Sequence, residues 1–140
     1  MLEKVGSGQI STLDNGTGAS VKNNLQDLAD GKKPKTTKQF KQCSPPQTTP
    51  GNSDTEVDAE LLKFLVDLSG SNKLTINALT GGCHTANSSH YKGKAVDLGC
   101  SPQLQKSVID QIGSKYGISD GTGEYCTGGG DHWHYSIGGY

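Results

Sequence analysis

Apolar and polar positions change their pattern near residue 54. From there to residue 137 the apolar side chains recur periodically, whereas before it large apolar side chains are sparse. Val57, Leu61, Phe64, Leu65 and Leu68 return at three- and four-residue steps, the spacing that lines one face of an α-helix. Asp54 or Thr55 is placed to cap it. Glu56, Asp58 and Glu60 put acids in its first turns, where the positive end of the helix dipole favours them. Ser69-Gly70-Ser71-Asn72 ends the helix. Residues 74–79 then alternate, predicting a strand with Leu74, Ile76 and Ala78 facing inward. After a turn at 80–84 and a polar loop at 85–89, residues 94–98 predict a second strand whose Asp97 faces away from Val96. Ser101-Pro102 has the form of an N-cap followed by a first-turn proline. Leu104, Val108 and Ile112 make the apolar stripe of a helix that stops before Gly117. Tyr125-Cys126 opens a further strand, broken by Thr127-Gly128-Gly129-Gly130, and residues 132–137 form the last. This order predicts an α+β domain: a small antiparallel β-sheet with helices packed on one side.

Residues 1–54 read as an irregular extension or linker, and residues 55–140 as the functional domain. Within the extension only residues 21–30 suggest a helix, with Leu25, Leu28 and Ala29 on one face and Gly31 at its end. Lys32-Lys33-Pro34-Lys35 reads as a solvated face. Residues 43–52 read as an extended, proline-containing linker. Twenty glycines among 140 residues, about twice the usual share, predict a core smaller than the length suggests.

Charge narrows the partners. A formal net charge of -1 gives no electrostatic case for nucleic acid or an anionic membrane surface. All 13 basic residues are lysine, so bidentate guanidinium clamps on phosphate or carboxylate are excluded. No apolar run approaches the ~20 residues that span a bilayer, and Met1-Leu2-Glu3-Lys4-Val5-Gly6 lacks the apolar stretch of a secretory signal. Cys43, Cys83, Cys100 and Cys126 are widely spaced with no Cys-x-x-Cys pair. That spacing predicts two disulfides, in one of three pairings, and an extracellular or cell-envelope location. Four buried thiols are the alternative.

The candidate chemistry lies in Ser88-Ser89-His90-Tyr91-Lys92-Gly93-Lys94-Ala95-Val96-Asp97 and in Asp131-His132-Trp133-His134, which together hold three of the 4 histidines. Two histidines and an aspartate suit a catalytic zinc whose fourth position is left to water. His90, Asp97 and His134 are therefore the candidate metal ligands, and Asp131 the candidate acid/base. His132 and His134, two apart on a strand, share a face; His132, if not a ligand, can donate to an oxyanion. Trp133 and Tyr135 read as core or rim aromatics. His84 reads most plainly as structural or solvated, with substrate binding as its sharper alternative, and Ser88 joins it as a candidate substrate-binding residue.

The run Ser88-x-His90-x-x-Gly93-x-Ala95-x-Asp97, followed by Asp131-x-x-His134, resembles the zinc D-alanyl-D-alanine carboxypeptidase family. That family takes in the vancomycin-resistance dipeptidases and the phage L-alanyl-D-glutamate endolysins; hedgehog signalling domains and lysostaphin-type endopeptidases share its metal-site architecture. The resemblance covers about residues 55–138. It implies a hedgehog/DD-peptidase-like fold, Zn2+ on His90, Asp97 and His134, and an acid/base at Asp131. His132 is similar to the assisting histidine of the lysostaphin-like enzymes, so by resemblance Asp131 and His132 compete for the acid/base role, with Asp131 favoured. Where relatives carry a Ser-Gly-Tyr-Arg-like turn, this chain has Thr80-Gly81-Gly82-Cys83-His84, with His84 in place of the arginine. The implied activity is that of a secreted, monomeric zinc metallopeptidase hydrolysing peptidoglycan stem peptides. An inert, hedgehog-like zinc-stabilised binding domain is the alternative.

Overall fold

The computed structural model describes residues 9–12, 21–34, 55–80, 89–101, 104–120, 126 and 132–137. Among them five strands pair into one sheet in the order β1-β2-β3-β5-β4: β1 (Ile10–Thr12), β2 (Leu74–Ala78), β3 (Ala95–Gly99), β4 (Ile118–Asp120) and β5 (His132–Ile137). The helices are α1 (Val21–Ala29), α2 (Ala59–Ser71) and α3 (Lys106–Gly113), with 3-10 turns at Ser89–Lys92 and Ser114–Tyr116. The architecture is α+β. The sheet is mixed rather than antiparallel, because β1 runs parallel to β2 with Ile10 opposite Leu74. Nor is the whole of the N-terminal extension irregular: the helix expected at 21–30 is present as α1, and residues 10–12 form β1. Ile10, Val21 and Leu25 are buried in the same core as the apolar face of α2, and Asn24 Oδ1 accepts hydrogen bonds from the backbone N–H and hydroxyl of Thr80.

Helix α2 presents Leu61, Phe64, Leu65 and Leu68 to that core, all fully buried. It starts at Ala59, later than the acids at 54–58 suggested. Asp58 is the cap, its Oδ1 accepting from the Glu60 N–H at 2.9 Å. The preceding residues are committed elsewhere. Thr55 donates its N–H to the Pro34 carbonyl and its hydroxyl to the Tyr91 carbonyl, and Asp58 donates its N–H to the Gly93 carbonyl. Gly93 sits at φ +70, and a Cβ there would fall onto the Glu56 carbonyl oxygen, so only glycine lets the two segments touch.

Strands β3 and β5 form the spine, with Val96 opposite Tyr135, Asp97 opposite His134, Leu98 opposite Trp133 and Gly99 opposite His132. Cross-strand partners share a face and neighbours alternate. Val96, Leu98, Trp133 and Tyr135 therefore face α2 and α3. There Tyr135 meets the Phe64 ring at 6.2 Å and donates its hydroxyl to Asp110 Oδ1 at 2.6 Å. Asp97, Gly99, His132 and His134 take the opposite face. All five residues of β3 are buried, including those on this second face.

Three local expectations change. The alternation of β2 breaks after Ile76: Ile76 opposes Leu98, yet Ala78 opposes Asp97, leaving Asn77 as the extra residue of a bulge. Ala78 is consequently only half-buried, and Leu79 is buried in its stead. Helix α3 begins at Lys106 rather than at Ser101-Pro102, because Ser101 closes a turn and a bridge with Leu104. Leu104 is buried ahead of the helix, and Ile109 is its fully buried residue, with Val108 and Ile112 partly buried beside it. The strand before β5 is β4; Tyr125 lies outside the described residues, and Cys126 lies in a turn.

Cys126 forms a disulfide with Cys100, the residue that follows β3, with Cα atoms 5.8 Å apart. The bridge ties the exit of β3 to the stretch that leads into β5. Cys43, Cys83 and the proline-containing stretch at 43–52 lie outside the described residues. Among the described residues no helix is long and apolar enough to cross a membrane.

Candidate metal centre

His90 sits on the first 3-10 turn, which is closed by hydrogen bonds from the Gly93 N–H to the His90 carbonyl and from the Lys94 N–H to the Ser89 carbonyl. Its Nδ1 lies 2.8 Å from the Leu79 carbonyl oxygen. A carbonyl only accepts, so Nδ1 carries the hydrogen and donates it. Nε2 is thereby aimed at Asp97 Oδ1, 3.1 Å away. From β5, His134 brings Nδ1 to 3.0 Å from the same oxygen. The two imidazoles meet edge-on, with centroids 5.1 Å apart. His90, Asp97 and His134 are 1%, 6% and 4% exposed, so the cluster is a buried one.

This donor set fits a cation. One ligand atom from each of the three residues lies within 4.8 Å of the others. Two ligands each 2.0–2.1 Å from a tetrahedral metal stand about 3.3 Å apart, close to the contacts that both histidines make with Asp97. The Leu79 bond supports the same assignment. A neutral His90 that donates through Nδ1 turns a lone pair, not a hydrogen, toward the Asp97 carboxylate. That contact calls for an added proton or for a cation shared between the groups. A ligating histidine whose other ring N–H is held by a backbone carbonyl is the usual outer-shell arrangement of metal sites. The described residues could hold a metal ion at this point.

Electrostatics agree. With the added proton in place of a metal, burial pushes the Asp97 carboxyl up, but the charge of His90, the hydrogen bonds from His134 and His90 and the charge of His132 outweigh it. They hold the pKa far below the usual carboxylate range. The carboxyl is thus held as an anion, as a hard oxygen ligand must be. His132 stands beside the trio rather than within it. Its Nε2 is 3.9 Å from Asp97 Oδ1, and its side chain is 28% exposed, against 5% for His134.

The structure therefore brings together four of the residues singled out in the sequence: His90, Asp97, His134 and, alongside them, His132. Asp131, His84 and Ser88 lie outside the described residues. Two contributors escaped sequence reasoning. The Leu79 carbonyl orients His90, and a backbone acceptor leaves no trace in residue identity. The Asn77 bulge, on the strand that flanks Asp97, interrupts an alternation that looked regular. Comparison with protein-family models, curated proteins and solved structures finds no match to this chain.

Proposed function

We propose that this protein is a zinc-dependent peptidase that hydrolyses peptide bonds in the stem peptides of bacterial peptidoglycan, with a hedgehog/DD-peptidase-type fold. The observation that carries the reading is the convergence of His90, Asp97 and His134 on one buried point of the sheet face. It is joined to the Ser88-to-Asp97 and Asp131-to-His134 spacings that resemble the zinc D-alanyl-D-alanine carboxypeptidase family.

In this reading His90 Nε2, one ring nitrogen of His134 and an Asp97 oxygen hold the ion. Bound there, zinc would supply Lewis acidity and a hydroxide nucleophile near neutral pH. The chain's own residues do the rest. Asp131 takes the proton of the attacking water and returns it to the leaving amine. His132, two residues before the last ligand on the same strand face and more exposed than the trio, donates a hydrogen bond to the oxygen that gains charge. The Cys100–Cys126 disulfide is compatible with work outside the cell.

Digestion of purified peptidoglycan with and without a chelator, with products identified by mass spectrometry, tests the proposal. Release of stem-peptide fragments that stops on chelation and returns with zinc supports it. A zinc-loaded protein that leaves every muropeptide intact contradicts it. The near-complete burial of all three ligand residues favours one second reading, a zinc-stabilised binding domain that does not turn over. Asp131→Asn separates the two: the peptidase loses hydrolysis with zinc retained, whereas a binding domain has no hydrolysis to lose.

A further inference from the structure

Helix α1 carries a polar side chain into the core. Val21, Asn24 and Leu25 stand at three- and four-residue steps on its inward face, and all three are buried. A buried carboxamide costs stability unless its hydrogen bonds are made, so packing alone would favour an apolar residue here. The Asn24 Oδ1 atom instead meets one residue, Thr80, just past the end of β2. It accepts from the Thr80 backbone N–H at 3.2 Å and from the Thr80 hydroxyl at 2.9 Å. An N–H only donates, so the carboxamide atom facing it is the oxygen.

The Thr80 N–H belongs to the same peptide unit as the Leu79 carbonyl, and that carbonyl accepts from His90 Nδ1 at 2.8 Å. A trans peptide unit is a rigid plane whose N–H and C=O point in opposite directions. Holding the N–H on one side therefore aims the oxygen on the other. Asn24, Thr80, Leu79 and His90 are 0%, 0%, 1% and 1% exposed, so the whole relay is sheltered from water.

We infer that Asn24 is a positioning residue for His90. Through the Leu79–Thr80 peptide it keeps the hydrogen on Nδ1 and Nε2 turned toward Asp97, and so raises the affinity of the centre for its ion. This rests on the metal centre and not on the peptidase reading. A ligating histidine has its tautomer and ring orientation fixed by the acceptor of its other N–H. Here that acceptor is itself held by a side chain 56 residues before Thr80 in the chain, which makes the N-terminal segment part of the centre.

The test uses the full chain with zinc alone as the probe. Zinc affinity is read by competition with a chromophoric chelator, and solvent exchange of the His90 ring hydrogen on Nδ1 is read by NMR in the metal-free protein. Asn24→Ala is expected to weaken zinc binding by roughly tenfold, the low end of losses for outer-shell partners, and to speed that exchange. Asn24→Leu combined with Thr80→Val fills the same space with apolar groups and is expected to stay folded with the same loss. Two controls separate positioning from stability. Thr80→Val alone keeps the backbone bond to Asn24, and Leu25→Ala opens a cavity on the same helix face; both should lower the denaturation midpoint and leave zinc affinity near wild type. Wild-type affinity in Asn24→Ala, or affinity that falls in step with stability across all these variants, overturns the inference. So does a ring hydrogen that exchanges equally fast in wild type and Asn24→Ala. A wild type that takes up no zinc, yet protects the ring hydrogen in a way that Asn24→Ala abolishes, sinks the metal centre and leaves the positioning of His90 standing.

Discussion

Asp97 keeps a negative charge in a place where burial alone would remove it, and the residues around it explain how. Two imidazole nitrogens stand within hydrogen-bonding distance of one of its oxygens, and a third lies 3.9 Å away. Its depressed pKa makes a directional statement about stability in the metal-free protein. An unfolded aspartate titrates near ~3.9. The contribution of the ionised Asp97 is therefore fully present above that value and is lost as pH falls toward the lower native pKa. Asp97→Asn should accordingly lower stability toward denaturant at neutral pH, and the gap between variant and wild type should close on acidification below pH ~3.9. A gap independent of pH would contradict the assignment. His132 makes a different prediction, since it neighbours the trio without belonging to it. On the proposed peptidase reading, His132→Ala should retain zinc while kcat falls by roughly 10²–10³-fold, the usual loss for an oxyanion donor; zinc analysis beside a muropeptide assay reads both quantities.

At the scale of elements, the site depends on how three pieces of backbone are locked. The 3-10 turn carrying His90 is pressed against residues 55–58 through Gly93, whose positive φ and missing Cβ allow the contact. Gly93→Ala combines a left-handed conformation with overpacking against the Glu56 carbonyl, and should cost about 2–4 kcal/mol by chemical denaturation. It should also weaken zinc binding, because the turn must shift to make room. Unchanged stability would contradict the contact. The same elements show why the sequence was legible in some places and not in others. Strands β3 and β5 could be read because strict alternation separated Asp97 from Val96 and His134 from Trp133 and Tyr135, so these two candidate ligands each fell on the polar face of a strand without any knowledge of the fold. Helix α2 could be read because Leu61, Phe64, Leu65 and Leu68 keep its period. Its start could not, since Asp54, Thr55 and Asp58 are all competent caps and only tertiary hydrogen bonds to Pro34, Tyr91 and Gly93 decide among them. The bulge at Asn77 was invisible because Leu74, Ile76 and Ala78 alternate as a regular strand would.

For the whole molecule, the sheet acts as a partition. Its one face carries Val96, Leu98, Trp133 and Tyr135 against α2 and α3; its other face carries the candidate metal centre. The N-terminal segment is bound into this arrangement. Strand β1 adds to the sheet edge with Ile10 opposite Leu74, Gln9 donates to the carbonyls of Ser69 and Asn72 at the end of α2, and α1 buries Val21 and Leu25. Of this, only the helix at 21–30, with Leu25 on one face and Gly31 at its end, was legible in the sequence; strand β1 and the docking of the segment on the core were not. A three-residue strand has no room to show a period, and two or three apolar residues amid glycine, serine and lysine look like a tail until their partners are known. Deletion of residues 1–34 should therefore expose Leu74 and its apolar neighbours, giving a less soluble protein with a lower denaturation midpoint. A truncated protein as stable as the full chain would show that β1 and α1 are dispensable to the core.

The centre itself is most directly tested by metal analysis after exhaustive dialysis against zinc-free buffer, on the wild type and on Asp97→Asn and His134→Ala. One zinc per chain is expected in the wild type and close to none in either variant, with both variants still folded. A wild type that holds no zinc when loaded with it, or variants that hold as much as the wild type, would contradict a centre built on His90, Asp97 and His134.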